Sequence, residues 1–242
     1  MARRPYPTDL SDREWELIDP LLPKPKRRGP QPNVNLREIV NGIFYLLHEG
    51  CQWRALPHDF PPWPTVSSYF RKWQRKGIWA AVNDRLRQEL RQRQGRNSNP
   101  SGGSIDSQSV KTTQKRGEVH GFDAGKKVKG RKRHILVDSQ GLLVEALVTE
   151  ANFPERLGGV VLVSDASEMI PNLKIIWVDQ GYSGDNFANA IASLATAQVE
   201  VIKRQTTEFQ VLPRRWVVER TLAWLTQNRR LVVDYEQLPP NE

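Results

Sequence analysis

Three acidic residues are candidate ligands for a metal ion that is bound by oxygen atoms. Asp106 lies within the predicted strand 104–110, Asp179 ends the apolar segment 175–179, and Glu219 follows in a helical pattern that starts at residue 213. A carboxylate inside or at the tip of an apolar strand is destabilising when it is buried alone, so it needs a cation or strong donors. Three such groups can hold two divalent ions about 4 Å apart, which activate a water or a 3′-hydroxyl for phosphoryl transfer.

Each of these residues also has a purely structural interpretation. Asp106 can be a charge that keeps an edge strand from aggregating, and Asp179 can cap the turn 180–184. Arg215 lies four residues before Glu219 on the predicted helix, so these two can form an ion pair on a solvated face. Asp138 and Asp165 are competing ligands. The DSQG sequence at 138–141 is typical of a turn, however, and Asp165 is expected to face solvent.

The other reactive side chains favour chemistry without a protein nucleophile. Cys51 is the only cysteine, which excludes an internal disulfide and a cysteine-rich zinc site and suits a reducing cytosol. The four histidines have no metal-ligand spacing, and no Ser/His/Asp or Cys/His pattern is present. Any metal is therefore expected to be a hard ion held by oxygen, Mg²⁺ with Mn²⁺ as a substitute.

Charge is distributed unevenly along the chain. The formal net charge is +9, of which residues 1–103 carry +8, and residues 111–133 alone carry +7. Such a balance favours a polyanionic partner, nucleic acid before an anionic membrane surface. No run of 18 apolar residues and no apolar leader is present. We therefore expect a cytoplasmic protein with no membrane partner and no small-molecule substrate.

The first 95 residues predict a helical domain that binds DNA. Ser11 and Glu14 form a capping-box pattern for a helix over 12–22, and Asn35 and Gly50 bound a helix over 36–48. The basic connector 24–32 is either a linker or an arm along phosphates. A short turn at 52–56 and a helix over 66–76, capped by Thr65, complete a helix-turn-helix-like pattern with 66–76 as the recognition helix.

The DNA-contacting residues predicted from this pattern are Arg54, Ser67, Ser68, Arg71, Lys72 and Arg75. The alternative is a plain helical bundle with a basic solvated side. The tryptophans at 53, 63, 73 and 79 are interpreted as core anchors rather than as stacking platforms for bases.

After a helix over 78–93 and a glycine- and serine-rich hinge over 96–103, the pattern changes to mixed α/β. Strands are predicted over 104–110, 134–137, 142–149, 174–178 and 199–202, and helices over 185–196 and 213–231. Segment 155–169 is ambiguous between strand and helix. The basic run before the second strand is predicted to grip phosphates, or else to be a solvated charged approach. Its candidate residues are Lys126, Lys127, Lys129, Arg131, Lys132 and Arg133.

Four motifs in order resemble the DDE transposases of bacterial insertion sequences, specifically the insertion-sequence-five group. They are SIDSQSVK at 104–111, the run 125–138, VDQGYSG at 178–184 and RRWVVERT at 214–221. The amino-terminal half is similar as well, through 12–22, GCQWR at 50–54 and FPPW at 60–63. The resemblance covers nearly the whole chain.

The resemblance implies a ribonuclease-H-like catalytic domain over 104–242 behind a DNA-binding domain over 1–95. Asp106, Asp179 and Glu219 would bind two Mg²⁺ ions, and Arg215 would orient Glu219 or contact DNA. The implied activity is binding of the insertion-sequence ends and DNA strand cleavage and transfer, by a homodimer on double-stranded DNA.

Three departures from the family pattern keep two alternatives open. Leu212 stands at an aromatic position, Thr226 stands at a basic position for which Arg229 or Arg230 are the substitutes, and relatives tend to continue beyond residue 242. The alternatives are an inactive DNA-binding relic and a nuclease of the same fold that does not join strands.

Overall fold

The computed structural model describes residues 3–24, 34–113, 119–203 and 214–236, and the chain divides into two compact units. One unit contains the chain up to Leu86 together with Gln227–Leu231. The other contains Arg87–Thr226 and the segment from Val232 onward. The predicted basic connector 24–32, apart from Lys24, lies outside the described residues, as do Leu212 and Pro213.

The first unit is helical, as predicted. Its elements are α1 (Asp12–Ile18) with a 3-10 turn at Asp19–Leu21, α2 (Leu36–Glu49), a 3-10 turn at Trp53–Ala55, α3 (Trp63–Arg75) and the start of α4 (Ile78–Arg93). The predicted capping box is present, because the Ser11 and Glu14 side chains each bond the other's backbone amide. Asn35 caps α2, and Gly50 ends it in the left-handed conformation with φ 70°.

Helix α3 starts three residues earlier than the sequence predicted. Pro64 lies in its first turn, where a backbone N–H is not needed, so the helix begins at Trp63 and not after Thr65. Residues of α2 and α3 build the core of this unit, with Ile39, Val40, Val66 and Trp73 almost fully buried. Trp63 is 37% exposed, so it is not the core anchor that the sequence suggested.

The second unit contains a six-stranded mixed sheet. Its strands are β1 (Gly102–Lys111), β2 (Gly121–Asp123), β3 (Val128–Asp138), β4 (Leu143–Glu150), β5 (Ile175–Val178) and β6 (Gln198–Val201). Strand β3 pairs antiparallel with β1 on one side and with β2 and β4 on the other, while β5 and β6 continue the sheet in parallel from β1. Antiparallel strands followed by parallel ones give the ribonuclease-H-like sheet that the resemblance implied.

Helices cover both faces of this sheet. Helices α5 (Glu155–Ala166) and α6 (Asp185–Ala195) share a core with Ile105, Leu136 and Ile176. Helix α7 (Trp216–Leu225) packs its Val218 and Leu222 against Ile135 and Val137. Since neighbouring residues of a strand point to opposite faces, α7 lies on the face opposite α5 and α6. Segment 155–169, which the sequence left ambiguous, is helical over Glu155–Ala166.

Two further predictions need correction. Strand β3 begins at Val128, six residues earlier than predicted, so most of the basic run is part of a strand and is not an approach to it. The helix predicted over 213–231 is broken, because α7 ends at Leu225 and a short helix, α8, covers Arg229–Val232. The Thr226 hydroxyl donates to the Ala223 carbonyl, a local bond that competes with helix continuation.

Among the described residues, none of the helices has the length and apolar character needed to span a bilayer.

Candidate active site

The three predicted carboxylates converge on one nitrogen atom. Nη2 of Arg215 lies 3.3 Å from an Asp179 oxygen, 3.5 Å from a Glu219 oxygen and 3.8 Å from an Asp106 oxygen. Strand β1 supplies Asp106, the end of β5 supplies Asp179, and α7, packed across β1 and β3, supplies Glu219. Residues that are 113 positions apart in the chain therefore surround a single guanidinium group.

Asp106 is the most enclosed of the three. Its side chain is 15% exposed, against 28% for Asp179 and 50% for Glu219. Burial raises the pKa of Asp106 to about 6, although the Ser107 amide, which donates to Oδ1 at 2.7 Å, and the charge of Arg215 both act to lower it. A cation close to Asp106 would lower this raised pKa and favour the ionised carboxylate.

Asp179 has the capping role that was its structural alternative, and it also pairs with Arg215. Its Oδ1 accepts from the Gly181 amide at 2.8 Å and so caps the 3-10 turn Gln180–Tyr182. Its Oδ2 accepts from Nη2 of Arg215. The cap orients the carboxylate, which leaves the second oxygen directed at the cationic centre.

The donor set suits a divalent cation, although Arg215 occupies its centre. Three hard oxygen donors surround a positive group, which here stands in for a metal ion. Within the described part of the chain, no group of three or more His, Cys, Asp or Glu side chains could hold a metal as it stands. Metal binding by this set therefore requires the Arg215 guanidinium to move away from the carboxylates.

The basic run divides into exposed and buried members. Lys126, Lys127 and Lys129 are exposed, and Arg133 is partly buried. Arg131 is 1% exposed and pairs with Asp234 at 2.9 Å, while the nearly buried Lys132 donates to the Phe153 carbonyl. Arg131 and Lys132 are thus bonded within the protein, and we leave both out of the proposed DNA-contacting set.

Sequence reasoning missed a fourth carboxylate, Glu155. It is the first residue of α5, and its Oε1 accepts from the Ser107 hydroxyl at 2.9 Å and from Lys126 Nζ at 3.2 Å. The ambiguity of segment 155–169 hid it. A helical interpretation of that segment would have placed an acidic residue in a helix first turn, where a carboxylate is favoured.

Thr226 and its predicted substitutes each have bonds within their own unit. Thr226 is the C-cap of α7. Arg230 donates to the Cys51 carbonyl at 2.9 Å, and Arg229 lies 3.9 Å from Glu49. Both arginines thus contact residues of the first unit.

In the first unit, the exposed side of α3 forms a shallow basic cavity of about 370 Å³. It is lined by Trp63, Pro64, Ser67, Ser68, Arg71 and Arg75. The Arg54 guanidinium lies 6.0 Å from the Trp63 ring, and Lys72 is also exposed, whereas Ser67 is 4% exposed. Five of the six residues of the first unit that were predicted to contact DNA thus lie at the surface.

Comparison with known proteins gives two family matches. Residues 10–83 match the family described as putative transposase of IS4/5 family, and residues 97–242 match the family described as transposase DDE domain. The second match alone covers more than half of the chain.

Two proteins of Burkholderia cepacia are similar over shorter stretches. An insertion element IS402 uncharacterized 16.2 kDa protein is 36% identical over 88 residues, 34% of this chain and 60% of that protein. A putative transposase for insertion sequence element IS402 is 32% identical over 117 residues, 45% of this chain and 54% of that protein. The chain thus spans between half and two thirds of each relative.

A solved structure, the cryo-EM structure of the piggyBac transposase synaptic complex with hairpin DNA, matches with a TM-score of 0.35 and 14% identity, over 61% of this chain and 31% of that one. The family matches, in contrast, extend over both units and include all three converging carboxylates. The chain belongs to the DDE transposases of bacterial insertion sequences.

Proposed function

We propose that this chain binds the ends of an insertion sequence and catalyses Mg²⁺-dependent DNA strand cleavage and strand transfer. The observation that carries the proposal is the convergence of Asp106, Asp179 and Glu219 around Arg215 Nη2. Convergence of three carboxylates from two strands and a helix supports a shared cation site better than it supports three separate structural roles.

Asp106, Asp179 and Glu219 would hold the metal ions, two Mg²⁺ or Mn²⁺. When bound, these ions activate the attacking oxygen and stabilise the leaving oxygen of the phosphodiester. The residues of this chain have complementary roles. Burial holds the Asp106 side chain in position, and the Gly181 amide orients Asp179. The Arg215 guanidinium group would move from the carboxylates to a DNA phosphate.

The first unit would bind the ends of the element. Exposed Arg71, Lys72 and Arg75 lie along α3 beside the tryptophan-lined cavity, which supports α3 as the DNA-contacting helix. Exposed Lys126, Lys127 and Lys129, with Arg133, would contact phosphates near the catalytic centre. The acting species would be a homodimer on double-stranded DNA in the bacterial cytoplasm.

A nicking and joining assay tests the proposal. The substrate is a supercoiled plasmid that carries the DNA flanking the gene, incubated with Mg²⁺ or Mn²⁺. Asp106→Asn, Asp179→Asn and Glu219→Gln should abolish cleavage and leave binding of the end DNA within about threefold. Asp165→Asn, at an exposed position of α5, is the matched control.

Each outcome of that assay has one meaning. Metal-dependent nicking followed by joining supports a transposase, and nicking without joining supports a nuclease of the same fold. DNA binding without nicking supports an inactive relic, an alternative that the positions of Thr226, Arg229 and Arg230 favour. Variants that lose binding and retain cleavage would reverse the roles assigned to the two units.

A further inference from the structure

A second cation lies at the rim of the carboxylate centre. Lys126 Nζ donates to the Ser107 carbonyl at 3.2 Å and to Oε1 of Glu155 at 3.2 Å. Ser107 directly follows Asp106 in β1, so this ammonium group is anchored one residue from the first carboxylate of the triad. Its charge acts to lower the pKa of Asp106, in the same direction as the charge of Arg215.

Glu155 is held in place from two directions. The amino-terminal turn of α5 fixes its backbone, and the Ser107 hydroxyl donates to the same oxygen that accepts from Lys126. Burial alone would raise the pKa of Glu155, but the Ser107 hydroxyl and Lys126 bring it below its ordinary value. Glu155 is therefore a carboxylate at neutral pH and can hold a cation there.

The other oxygen of Glu155 lies near Asp179. A Cβ atom placed on Gly181 would lie 2.9 Å from Oδ1 of Asp179 and 3.0 Å from Oε2 of Glu155, so the Gly181 backbone lies between these two carboxylates. The neighbouring Tyr182 hydroxyl is buried beside the Ser107 hydroxyl, which acts to lower the pKa of the phenol. Burial, and then the charges of Asp106 and Glu155, raises the pKa of this phenol. Glu155 thus belongs to the same cluster as Asp106 and Asp179.

The other basic residues considered for this role are already bonded elsewhere. Thr226 carries no charge where the family pattern has a basic residue, and Arg229 and Arg230 bond to Glu49 and Cys51. Lys132, although it lies 3.8 Å from Glu155, is 7% exposed and donates to the Phe153 carbonyl, so it cannot reach a ligand. Lys126, in contrast, keeps 44% of its side chain exposed while its ammonium group is held by Ser107 and Glu155.

We propose that Glu155 is a positioning residue of the catalytic centre, which holds the Lys126 ammonium group beside β1 so that it neutralises the DNA phosphate under attack. The inference rests on the proposed strand-cleavage function. It assigns to Lys126 the role for which no basic residue is present at position 226. It also assigns to Glu155 a role exerted through Lys126 and not through contact with DNA.

A double-mutant cycle tests this assignment. The variants Glu155→Gln, Lys126→Met and the double variant are compared in single-turnover cleavage of end DNA, with end-DNA affinity and thermal unfolding measured on the same samples. Each single change should slow cleavage by about 10- to 100-fold, the range found when a residue that supports the ligands of a metal site is removed. The double variant should be no slower than the slower single variant, because Glu155 acts through Lys126. Glu168→Gln, at an exposed position, is the matched control.

A conservative variant adds a readout that a merely structural role would not change. Lys126→Arg keeps the charge and should restore part of the cleavage rate when Glu155 is present, but not in the Glu155→Gln background. Should Glu155→Gln fail to fold, Glu155→Asp keeps the charge and withdraws it from Lys126, and it should slow cleavage in the same way.

The outcomes separate this inference from the function on which it rests. Cleavage at the wild-type rate by the folded Glu155 variant, or additive losses in the double variant, would overturn the role of Glu155. Asp106→Asn is measured beside them. If Asp106→Asn is inactive and Glu155→Gln is fully active, only the positioning role fails. If Asp106→Asn itself cleaves normally, the proposed function fails.

Discussion

Arg215 is bonded to Asp179 with 3.3 Å between Nη2 and Oδ2, and the same nitrogen atom lies within 4 Å of Asp106 and Glu219. One guanidinium group thus offsets only part of the charge of three carboxylates that repel one another. A divalent ion has twice the charge of a guanidinium group, so an ion held by the same oxygen atoms would compete with Arg215 for one place.

This competition predicts a gain in metal affinity on removal of the guanidinium. Arg215→Ala should bind Mn²⁺ about tenfold more tightly than the wild type in the absence of DNA, a change of about 1.4 kcal/mol. Electron paramagnetic resonance of free Mn²⁺ measures the affinity. Arg215→Lys keeps the charge and should remain within about threefold of the wild type. Weaker Mn²⁺ binding by Arg215→Ala would show that Arg215 supports the site and does not compete for it.

Ionisation of Asp106 should lower the free energy of unfolding as the pH rises, which is the opposite of the usual effect of an aspartate. Its pKa of about 6 in the folded protein exceeds the ordinary 3.8, so the folded state binds the proton more tightly than the unfolded state. This group's contribution is most favourable below pH 4 and is lost as the pH rises through 6. In metal-free urea denaturation at pH 7.5, Asp106→Asn should therefore be more stable than the wild type by about 2 to 3 kcal/mol.

The difference between the two proteins should shrink steadily between pH 6 and pH 4, because the wild-type carboxyl becomes neutral like the amide. Comparison of the two proteins removes the effects of other titrating groups. An Asp106→Asn variant that is less stable than the wild type at pH 7.5 would contradict the burial of an uncompensated charge.

Asp138, predicted as a turn residue, also forms a buried ion pair. Its Oδ1 accepts from the Gln140 and Leu142 amides, and its Oδ2 accepts from Arg91 at 2.6 Å, with side-chain exposures of 0% and 5%. Arg91→Ala leaves a buried carboxylate unpaired and should lower the free energy of unfolding by about 3 to 5 kcal/mol.

Urea denaturation monitored by circular dichroism measures this loss. Arg93→Ala, two residues away with a half-exposed side chain, should change stability by less than about 0.5 kcal/mol. Equal effects of the two substitutions would refute a special role for the buried pair.

The basic side of α3 should contribute to DNA affinity through phosphate contacts. Arg71→Ala and Arg75→Ala should each weaken binding of end DNA and lower the slope of log affinity against log salt concentration by about 1. Fluorescence anisotropy at several salt concentrations measures both quantities. Arg13→Ala, at an exposed position of α1, should change neither. An unchanged salt slope for both α3 variants would exclude this helix as the DNA-contacting element.

Local patterns were sufficient to predict most elements, whereas the three carboxylates were grouped by the resemblance to the DDE transposases. The Ser11 and Glu14 capping box, the Asn35 cap and the Gly50 terminator depend only on neighbouring residues, and all three occur as predicted. Asp106 and Asp179 were candidates because an aspartate in a strand or at its end is unusual, and Glu219 joined them through the family motif.

The remaining features depend on tertiary contacts that no local pattern shows. The partner of Asp138 is Arg91, 47 residues away, and the partner of Ser107 is Glu155, 48 residues away. Basic residues such as Arg131 are polar in sequence but buried in β3, where ion pairs satisfy them. Helix α7 ends at Leu225 although no glycine or proline lies there, since Thr226 bonds locally.

The Arg91–Asp138 pair also governs how the chain can be divided for experiments. Helix α4 begins at Ile78, but the compact unit that contains the sheet starts at Arg87, inside that helix. An expression fragment that starts at residue 104, after the glycine-rich segment, would discard the arginine that neutralises Asp138. A fragment designed to contain only the unit with the sheet should therefore keep the last two turns of α4.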